Sequence, residues 1–362
     1  MLDENFSTLL NHGAVIPAHP LALNSSRKLD ERRQRALSRY YVAAGAGGLA
    51  VGVHTTQFSI RDPKYNLLQP VLELAGEEMD LADEKRKKPL LRIGGICGST
   101  AEAIEDAKLI SDLGYHAGLL NLSALREATD DQLIEHCKEV AQVTSLFGFY
   151  LGSAIGGRDL SYNFWRQFVE LPELVAIKIA TFSRYQTLDV LRAVAESSRN
   201  DIALYTGNDD NIVMDLITPH RFKVKGKIVE LRIVGGLLCN WAVCTKRAVE
   251  ILEQCHRLIN GKETISENLL RLAIEVTDSN AAFFDAANGF KSCIPGIHEV
   301  LRRQGLLEGI WCLNPQETLS DPQKEEIDRV CQAYPHLNDD IFVKEHRDDC
   351  LLYTSPSPRD RG

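Results

Sequence analysis

The chain has 362 residues, of which 44% are hydrophobic and 25% charged, and its formal net charge is −9. This composition is typical of a soluble globular protein with one large domain or two ordinary ones. The acidic balance argues against nucleic acid and against a membrane as partner, because nucleic acids and anionic membranes bind cationic surfaces. Nine scattered cysteines without a CxxC pair fit reduced thiols and a cytoplasmic location better than a disulfide framework.

Short apolar runs alternate with amphipathic segments along most of the chain. Each run predicts a buried parallel strand, over residues 14–16, 49–53, 90–93, 117–120, 146–151, 174–177, 202–205 and 233–238. The segments between them predict helices over residues 30–44, 67–83, 100–113, 130–144, 162–169, 185–196, 211–218 and 242–260. Eight strand–helix pairs predict an α/β protein with a (β/α)8 TIM barrel, and a doubly wound open sheet is the alternative.

The strand pattern stops after residue 260. Helices are predicted over residues 264–287, 290–304 and 322–333, which gives a barrel over 1–258 and a C-terminal helical region over 259–345. The end of the chain reads CLLYTSPSPRD, which resembles a translated sequencing adapter, so we expect residues 346–362 to be a non-native or disordered tail. The basic segment 220–230 is interpreted as a solvated hairpin or loop.

Lys178 ends the apolar run 174–177. Catalytic groups of a barrel stand at the C-terminal ends of its strands, and apolar surroundings lower the pKa of a lysine. A neutral amine is the nucleophile that forms a Schiff base with a carbonyl substrate. A lysine that extends to solvent fits the same spacing.

Two other strand ends carry polar groups. His54, Thr55 and Thr56 follow the strand over 49–53, where threonine hydroxyls and backbone N–H groups could bind a carboxylate; an ordinary polar turn is the alternative. Tyr150 lies near the end of the fifth strand, where it could transfer protons or only pack in the barrel.

Taken in order, these segments resemble the dihydrodipicolinate synthase/N-acetylneuraminate lyase family of class I aldolases over residues 13–330. Tyr150 and Lys178, 28 residues apart, match the family's tyrosine and Schiff-base lysine. The other matching segments are AAGAGGLAVGVHTT at 43–56, RIGGICGSTAEA at 92–103, YTGNDD at 205–210, GGLLCN at 235–240, NGFK at 288–291 and RRQGLL at 302–307.

The resemblance implies a lyase or aldolase that acts on a 2-keto acid of the pyruvate type through a Schiff base on Lys178. It implies no metal and no cofactor beyond this covalent imine, and a homo-oligomer, commonly a homotetramer. Further residues are implied in catalysis, namely Tyr150 and Thr55, and in substrate binding, namely Thr56, His54, Gly207 and Leu238.

The chain departs from the family pattern in the segments that follow the C-terminal ends of the predicted strands. His54 replaces the first glycine of the Gly-Thr-Thr-Gly-Glu motif, Gln57 and Phe58 replace its Gly-Glu, and residues 120–125 lack the relay tyrosine. His54 is a candidate for part of that relay. Two alternatives therefore stay open: a Schiff-base dehydratase or decarboxylase of a sugar-derived keto acid, and a catalytically lapsed barrel that binds a keto acid.

Ile155 stands where the synthase has an arginine that grips the carboxylate of its aldehyde substrate, five residues after the tyrosine. Burying an unpaired carboxylate against isoleucine is unfavourable, so we expect a neutral aldehyde or sugar as the second partner. Arg158 is the one nearby residue that could reverse this preference by folding inward.

Overall fold

The computed structural model describes residues 4–352 except 198, 262 and 263. Eight parallel strands form one sheet in the order β1-β10-β7-β6-β5-β4-β3-β2. They are β1 Val15–Pro17, β2 Gly48–Val51, β3 Leu91–Ile96, β4 Ala117–Asn121, β5 Leu146–Leu151, β6 Leu174–Ala180, β7 Ala203–Thr206 and β10 Gly235–Leu238. A parallel bridge between Ala18 and Ala50, with the His19 N–H 2.8 Å from the Ala50 carbonyl oxygen, joins β1 to β2. The sheet therefore closes into the predicted (β/α)8 barrel.

Helices alternate with these strands and form the outer layer. They are α2 Glu31–Ala44, α3 Leu68–Asp83, α4 Thr100–Asp112, α5 Asp130–Ala141, α6 Tyr162–Phe168, α7 Arg184–Ser197, α8 Ile212–Ile217 and α9 Thr245–Ile259. Helix α1, Glu4–His12, precedes β1 and packs its Phe6 and Leu10 against the interior core of the barrel. Ser99 and Glu102 form the capping box at the start of α4, where the Ser99 N–H donates to Glu102 at 2.7 Å. The predicted division after residue 258 falls at the end of α9.

Both faces of the barrel strands are buried. Ile16, Leu119 and Phe147 pack in the barrel interior, whereas Val51 and Leu146 pack against the helices. Because successive strand residues alternate between these two cores, most strand positions are apolar and the strands read as hydrophobic runs.

The basic segment before the last barrel strand is an antiparallel hairpin of β8 His220–Val224 and β9 Lys227–Leu231, with its turn at Lys225 and Gly226. This confirms the hairpin interpretation. No helix in the described ranges is long and apolar enough to cross a membrane.

Four more helices follow the barrel: α10 Glu267–Phe283, α11 Cys293–Arg303, α12 Gln323–Ala333 and α13 Asp340–Leu351. Helix α13 packs on α2 and buries Val343 and Cys350, which are seven residues apart on one helix face. The expectation of a disordered tail from residue 346 is therefore wrong for residues 346–351. Residues 353–362 lie outside the described residues.

Candidate active site

Lys178 lies inside the barrel on β6, with only 5% of its surface exposed. Its Nζ lies 4.4 Å from the centroid of the Phe149 ring, which comes from the adjacent position of β5. On the other side, Gly207 follows β7 and lies directly against the lysine stem. The side chain is enclosed by the barrel, so the solvent-extended alternative is wrong.

A cavity of about 220 Å³ opens at the C-terminal end of the barrel around this lysine. Its titratable lining residues are His54, Lys178, Asp209, Cys239 and Cys293. Its large apolar lining residues are Phe149, Leu151, Ile155, Phe182, Phe284 and Phe290. The barrel thus supplies one amine and several proton-carrying groups within an otherwise apolar site.

Burial sets the protonation of Lys178 and Asp209. It lowers the pKa of the Lys178 amine and raises the pKa of the Asp209 carboxyl well above its ordinary value, because both charged forms lose hydration. Asp209 is held by its Oδ1, which accepts the Asn240 N–H at 3.3 Å, and by its backbone oxygen, which accepts the Asn280 side chain at 2.6 Å. The site therefore favours a nucleophilic amine beside a protonated carboxylic acid.

Two thiols share the cavity with these groups. Cys239 follows β10, and Cys293 is the first residue of α11. Hydrogen bonds from the Cys293 thiol and from His54 lower the pKa of Cys239, while the same thiol contact raises the pKa of Cys293. Cys239 is thus a second proton-transfer candidate.

Thr55 and Thr56 are fully buried, and neither lines the cavity. The Thr55 hydroxyl donates to the Ala18 carbonyl at 2.8 Å, and the Thr56 hydroxyl donates to the His19 carbonyl at 2.6 Å. Both hydroxyls are thus engaged by backbone carbonyls, and the predicted catalytic role of Thr55 and substrate contact of Thr56 stay predictions. The two hydroxyls anchor the turn over residues 54–56 to the closing bridge of the barrel and so hold His54 at the cavity.

Tyr150 lies on the opposite face of β5 from Phe149. Its ring packs in the outer core against Trp165, with centroids 5.2 Å apart, and its hydroxyl donates to the Leu160 carbonyl at 3.3 Å and accepts the Leu160 N–H at 3.2 Å. This placement favours the packing alternative, and the proton shuttle stays a prediction that the placement does not support. Strand alternation explains the direction of the side chain, since a one-residue offset moves a side chain to the other face.

Leu238 also faces the helices, in the outer core, whereas its neighbour Cys239 lines the cavity. The expected substrate contact of Leu238 stays a prediction that this placement does not support. The structure does bring the predicted residues His54, Lys178 and Gly207 together.

Sequence reasoning missed several cavity residues, namely Asp209, Cys239, Cys293, Phe182 and Phe290. Asp209, Cys239 and Phe290 lie within the family-like segments YTGNDD, GGLLCN and NGFK. Their position directly after a strand, or in a loop above the barrel, is the signal that identifies them as candidates.

Ile155 lines the cavity as expected, and Arg158 does not. The Arg158 guanidinium donates to the Leu125 carbonyl and, at 3.1 Å, to the Ala128 carbonyl. These bonds hold the guanidinium on the loop after β4. The described residues also contain no group of three or more His, Cys, Asp or Glu side chains that could hold a metal ion.

The chain is similar to a known family over most of the barrel. The model of the dihydrodipicolinate synthetase family matches residues 11–219. The 4-hydroxy-tetrahydrodipicolinate synthase of Aromatoleum aromaticum is 30% identical over 194 residues, which are 52% of this chain and 60% of that protein. The 4-hydroxy-tetrahydrodipicolinate synthase 1 of Halalkalibacterium halodurans is 25% identical over 212 residues, 58% of this chain and 67% of that protein. The chain thus spans less than two thirds of the first relative.

Solved structures resemble the whole barrel with its C-terminal helices. The dihydrodipicolinate synthase of Oceanobacillus iheyensis superposes with a TM-score of 0.69 at 16% identity, over 91% of this chain and 99% of that one. A prophage protein of the dihydrodipicolinic acid synthase family from E. coli K12, in complex with pyruvate, gives a TM-score of 0.70 at 16% identity, over 89% and 98%. At this identity the likeness establishes the fold.

Proposed function

Because the chain belongs to the dihydrodipicolinate synthetase family, we propose that it is a carbon–carbon lyase of the class I aldolase type. Its substrate in this proposal is a 2-keto acid of the pyruvate type, bound as a Schiff base on Lys178. The observation that carries the proposal is the buried Lys178 amine, which faces a cavity at the C-terminal end of the barrel and whose pKa is lowered by burial.

Schiff-base formation needs a nucleophile and an acid. The neutral Lys178 amine attacks the keto carbon, and the resulting carbinolamine loses water to give the imine. Asp209 donates the proton that allows the hydroxyl to leave, because burial keeps its carboxyl protonated beside the lysine. Phe149 occupies the inward position of β5 and has no proton to offer.

Carbon–carbon cleavage then uses the imine as electron sink. The Asp209 carboxylate takes the proton of the substrate's 4-hydroxyl, the C3–C4 bond breaks, and an aldehyde leaves. The electron pair forms an enamine at C3, which is protonated there. Water then hydrolyses the imine and returns the free amine and the keto acid, so no external electron acceptor is needed. Condensation is the same sequence reversed.

We place the keto-acid carboxylate at the turn over residues 54–56. His54 lines the cavity there, and the N–H groups of Thr56 and Gln57 already donate to the carbonyls of Val53 and His54. The His54 ring is therefore the donor that we assign to the carboxylate. His54→Ala should raise the KM for the keto acid more than it lowers kcat, and the reverse pattern contradicts this placement.

Borohydride trapping tests the covalent step directly. Reduction in the presence of pyruvate should add the mass of the keto acid, less water and plus two hydrogens, at a single peptide that contains Lys178. Lys178→Arg should abolish the adduct, whereas Lys223→Arg on the exposed hairpin should not. The absence of an adduct from every member of a 2-keto-acid panel overturns the proposal.

The identity of the released product distinguishes the lyase from the dehydratase or decarboxylase and from the lapsed barrel. Release of an aldehyde supports the lyase, and loss of water or carbon dioxide without an aldehyde supports the dehydratase or decarboxylase. An adduct without turnover supports the lapsed barrel.

We also propose that the protein is a homo-oligomer, a homotetramer in particular, which is the state implied by the family resemblance. Light scattering after size-exclusion chromatography tests this, and a monomer at micromolar concentration contradicts it.

A further inference from the structure

Two phenylalanines face each other in the cavity wall. Phe182 follows β6, and Phe290 precedes α11, and both line the cavity. Their ring centroids are 5.3 Å apart, with the planes at 64°, an edge-to-face arrangement. We call this pair the aromatic clamp.

Both clamp residues have left-handed backbone conformations, with φ of 52° at Phe182 and 64° at Phe290. Bulky residues avoid this region, and they persist there when the surrounding structure holds them, often at ligand sites. The Phe182 N–H donates to the Asn208 side chain at 3.0 Å, and the Phe290 N–H donates to the Asp285 carbonyl at 3.0 Å. The two rings are therefore fixed in place by strained, hydrogen-bonded backbone.

The rest of the cavity divides by polarity. Asp209, Cys239 and Cys293 each influence the charge of Lys178, and His54 bonds to Cys239, so the titratable groups form one cluster. The remaining large lining side chains are apolar. Two nitrogens of the Arg158 guanidinium donate to backbone carbonyls, and Arg158 does not line the cavity.

We propose, on the basis of the lyase function proposed above, that the aldehyde partner carries an aromatic ring, which binds against the clamp of Phe182 and Phe290. A dry cavity of about 150 Å³ lined by apolar side chains is known to hold benzene. The 220 Å³ cavity thus has room for a ring beside a small keto acid. A sugar-like fragment would leave its hydroxyls without partners against this wall.

The bond-forming step balances within the site. The enamine carbon C3 of the Lys178-bound keto acid forms a bond to the aldehyde carbonyl carbon, and the aldehyde oxygen takes a proton from Asp209. Hydrolysis by water then releases a 4-hydroxy-2-keto acid with the aromatic ring on C4 and restores the lysine.

Competing aldehydes test the proposal with the full chain. Pyruvate is offered with benzaldehyde, glyceraldehyde or aspartate semialdehyde, and products are quantified by mass spectrometry. We expect kcat/KM for benzaldehyde to exceed that for each other aldehyde at least tenfold. Phe290→Ala should raise the KM for benzaldehyde about tenfold and change that for glyceraldehyde less than twofold. Phe222→Ala, a half-buried ring on the hairpin, is the matched control.

A wild-type preference for glyceraldehyde or the semialdehyde overturns the proposal, as does an unchanged benzaldehyde KM in folded Phe290→Ala. If that variant does not fold, Phe182→Leu takes its place. Borohydride trapping with pyruvate alone reports on the lyase proposal separately.

Binding of benzyl alcohol, observed by ligand-detected NMR, tests the clamp without any chemistry. We expect binding to wild type that weakens about tenfold in Phe290→Ala. If no pyruvate adduct forms but benzyl alcohol binds in this way, the lyase function fails and the aromatic site stands. Absence of benzyl alcohol binding overturns the aromatic site.

Discussion

The backbone of Gly207 lies against the side chain of Lys178. A Cβ at position 207 would lie 2.6 Å from the lysine Cε and 2.8 Å from the Cβ of Ala180, closer than real side chains approach. Because glycine has no side chain, position 207 leaves free the space that the Lys178 side chain occupies in the barrel.

Gly207→Ala should displace the Lys178 amine and slow borohydride trapping with pyruvate by about a hundredfold, because an error of about 1 Å in a reacting group has this effect. Circular dichroism should show a folded barrel. Gly76→Ala is the control, since its Cβ meets nothing within 4 Å in α3. That variant should trap normally and gain about 0.5–1 kcal/mol in stability. Normal trapping by Gly207→Ala contradicts the steric argument.

Asp209→Asn should slow imine trapping by about a hundredfold or more, because general acids contribute about 10²–10⁴ in rate. In wild type the trapping rate should rise with pH as Lys178 loses its proton, and fall at higher pH as Asp209 loses its own. Burial raises the pKa of Asp209, so we assign this fall of the trapping rate at high pH, the upper limb of the profile, to the loss of the Asp209 proton. Asp209→Asn should lack the upper limb, while Asp210→Asn, at an exposed neighbour, should keep it. A retained limb in Asp209→Asn excludes Asp209 as the acid.

Tyr150→Phe should leave turnover within twofold and lower the free energy of unfolding by about 1–3 kcal/mol, because it removes two hydrogen bonds and leaves the buried Leu160 N–H without this partner. The change removes only the contact with Leu160 in the outer core. Burial also raises the pKa of Tyr150 to about 12, so the phenol stays protonated at neutral pH. Urea denaturation and a turnover assay check both parts. A stable variant without activity would restore the proton-shuttle hypothesis.

His19 should make the fold sensitive to acid. Burial lowers its pKa to about 4, while its Nδ1 lies 2.8 Å from the Pro20 carbonyl and its Nε2 2.9 Å from the Ser38 hydroxyl. Between pH 4 and the ordinary value near 6.5, the unfolded chain binds a proton that the folded chain does not. The contribution of His19 to the free energy of unfolding is therefore fully present above pH 6.5 and is lost as the pH drops toward 4.

The size of this effect follows from the shift. One pKa unit corresponds to 1.36 kcal/mol, so His19 should contribute a loss of about 2–3 kcal/mol between pH 7 and pH 4.5. Urea denaturation of wild type and His19→Gln at both pH values isolates the contribution from that of other groups. Equal losses in both proteins show that His19 does not titrate in this way.

The sequence predicted the barrel well because strands buried on both faces read as apolar runs, and the run before Lys178 located that lysine at a strand end. It did not determine the direction of the Tyr150 side chain, because family spacing alone does not fix which face of β5 a residue occupies, and a shift of one residue changes the face. Phe290 and Cys293 lie more than a hundred residues beyond Lys178, and tertiary packing alone brings them to the cavity. Helix α13 was missed because few of its residues are buried.

The docking of α13 on α2 has a consequence for synthesis on the ribosome. Tyr40 of α2 donates to Asp339 at 2.6 Å, and Asp339 also accepts the N–H groups of Lys246 and Arg247 at the start of α9. About 300 residues separate α2 from α13. At a synthesis rate of about 5–20 residues/s, α13 is therefore made about 15–60 s after α2. Throughout that interval the face of α2 that α13 covers in the folded protein stays uncovered, and the Tyr40 hydroxyl lacks its Asp339 partner.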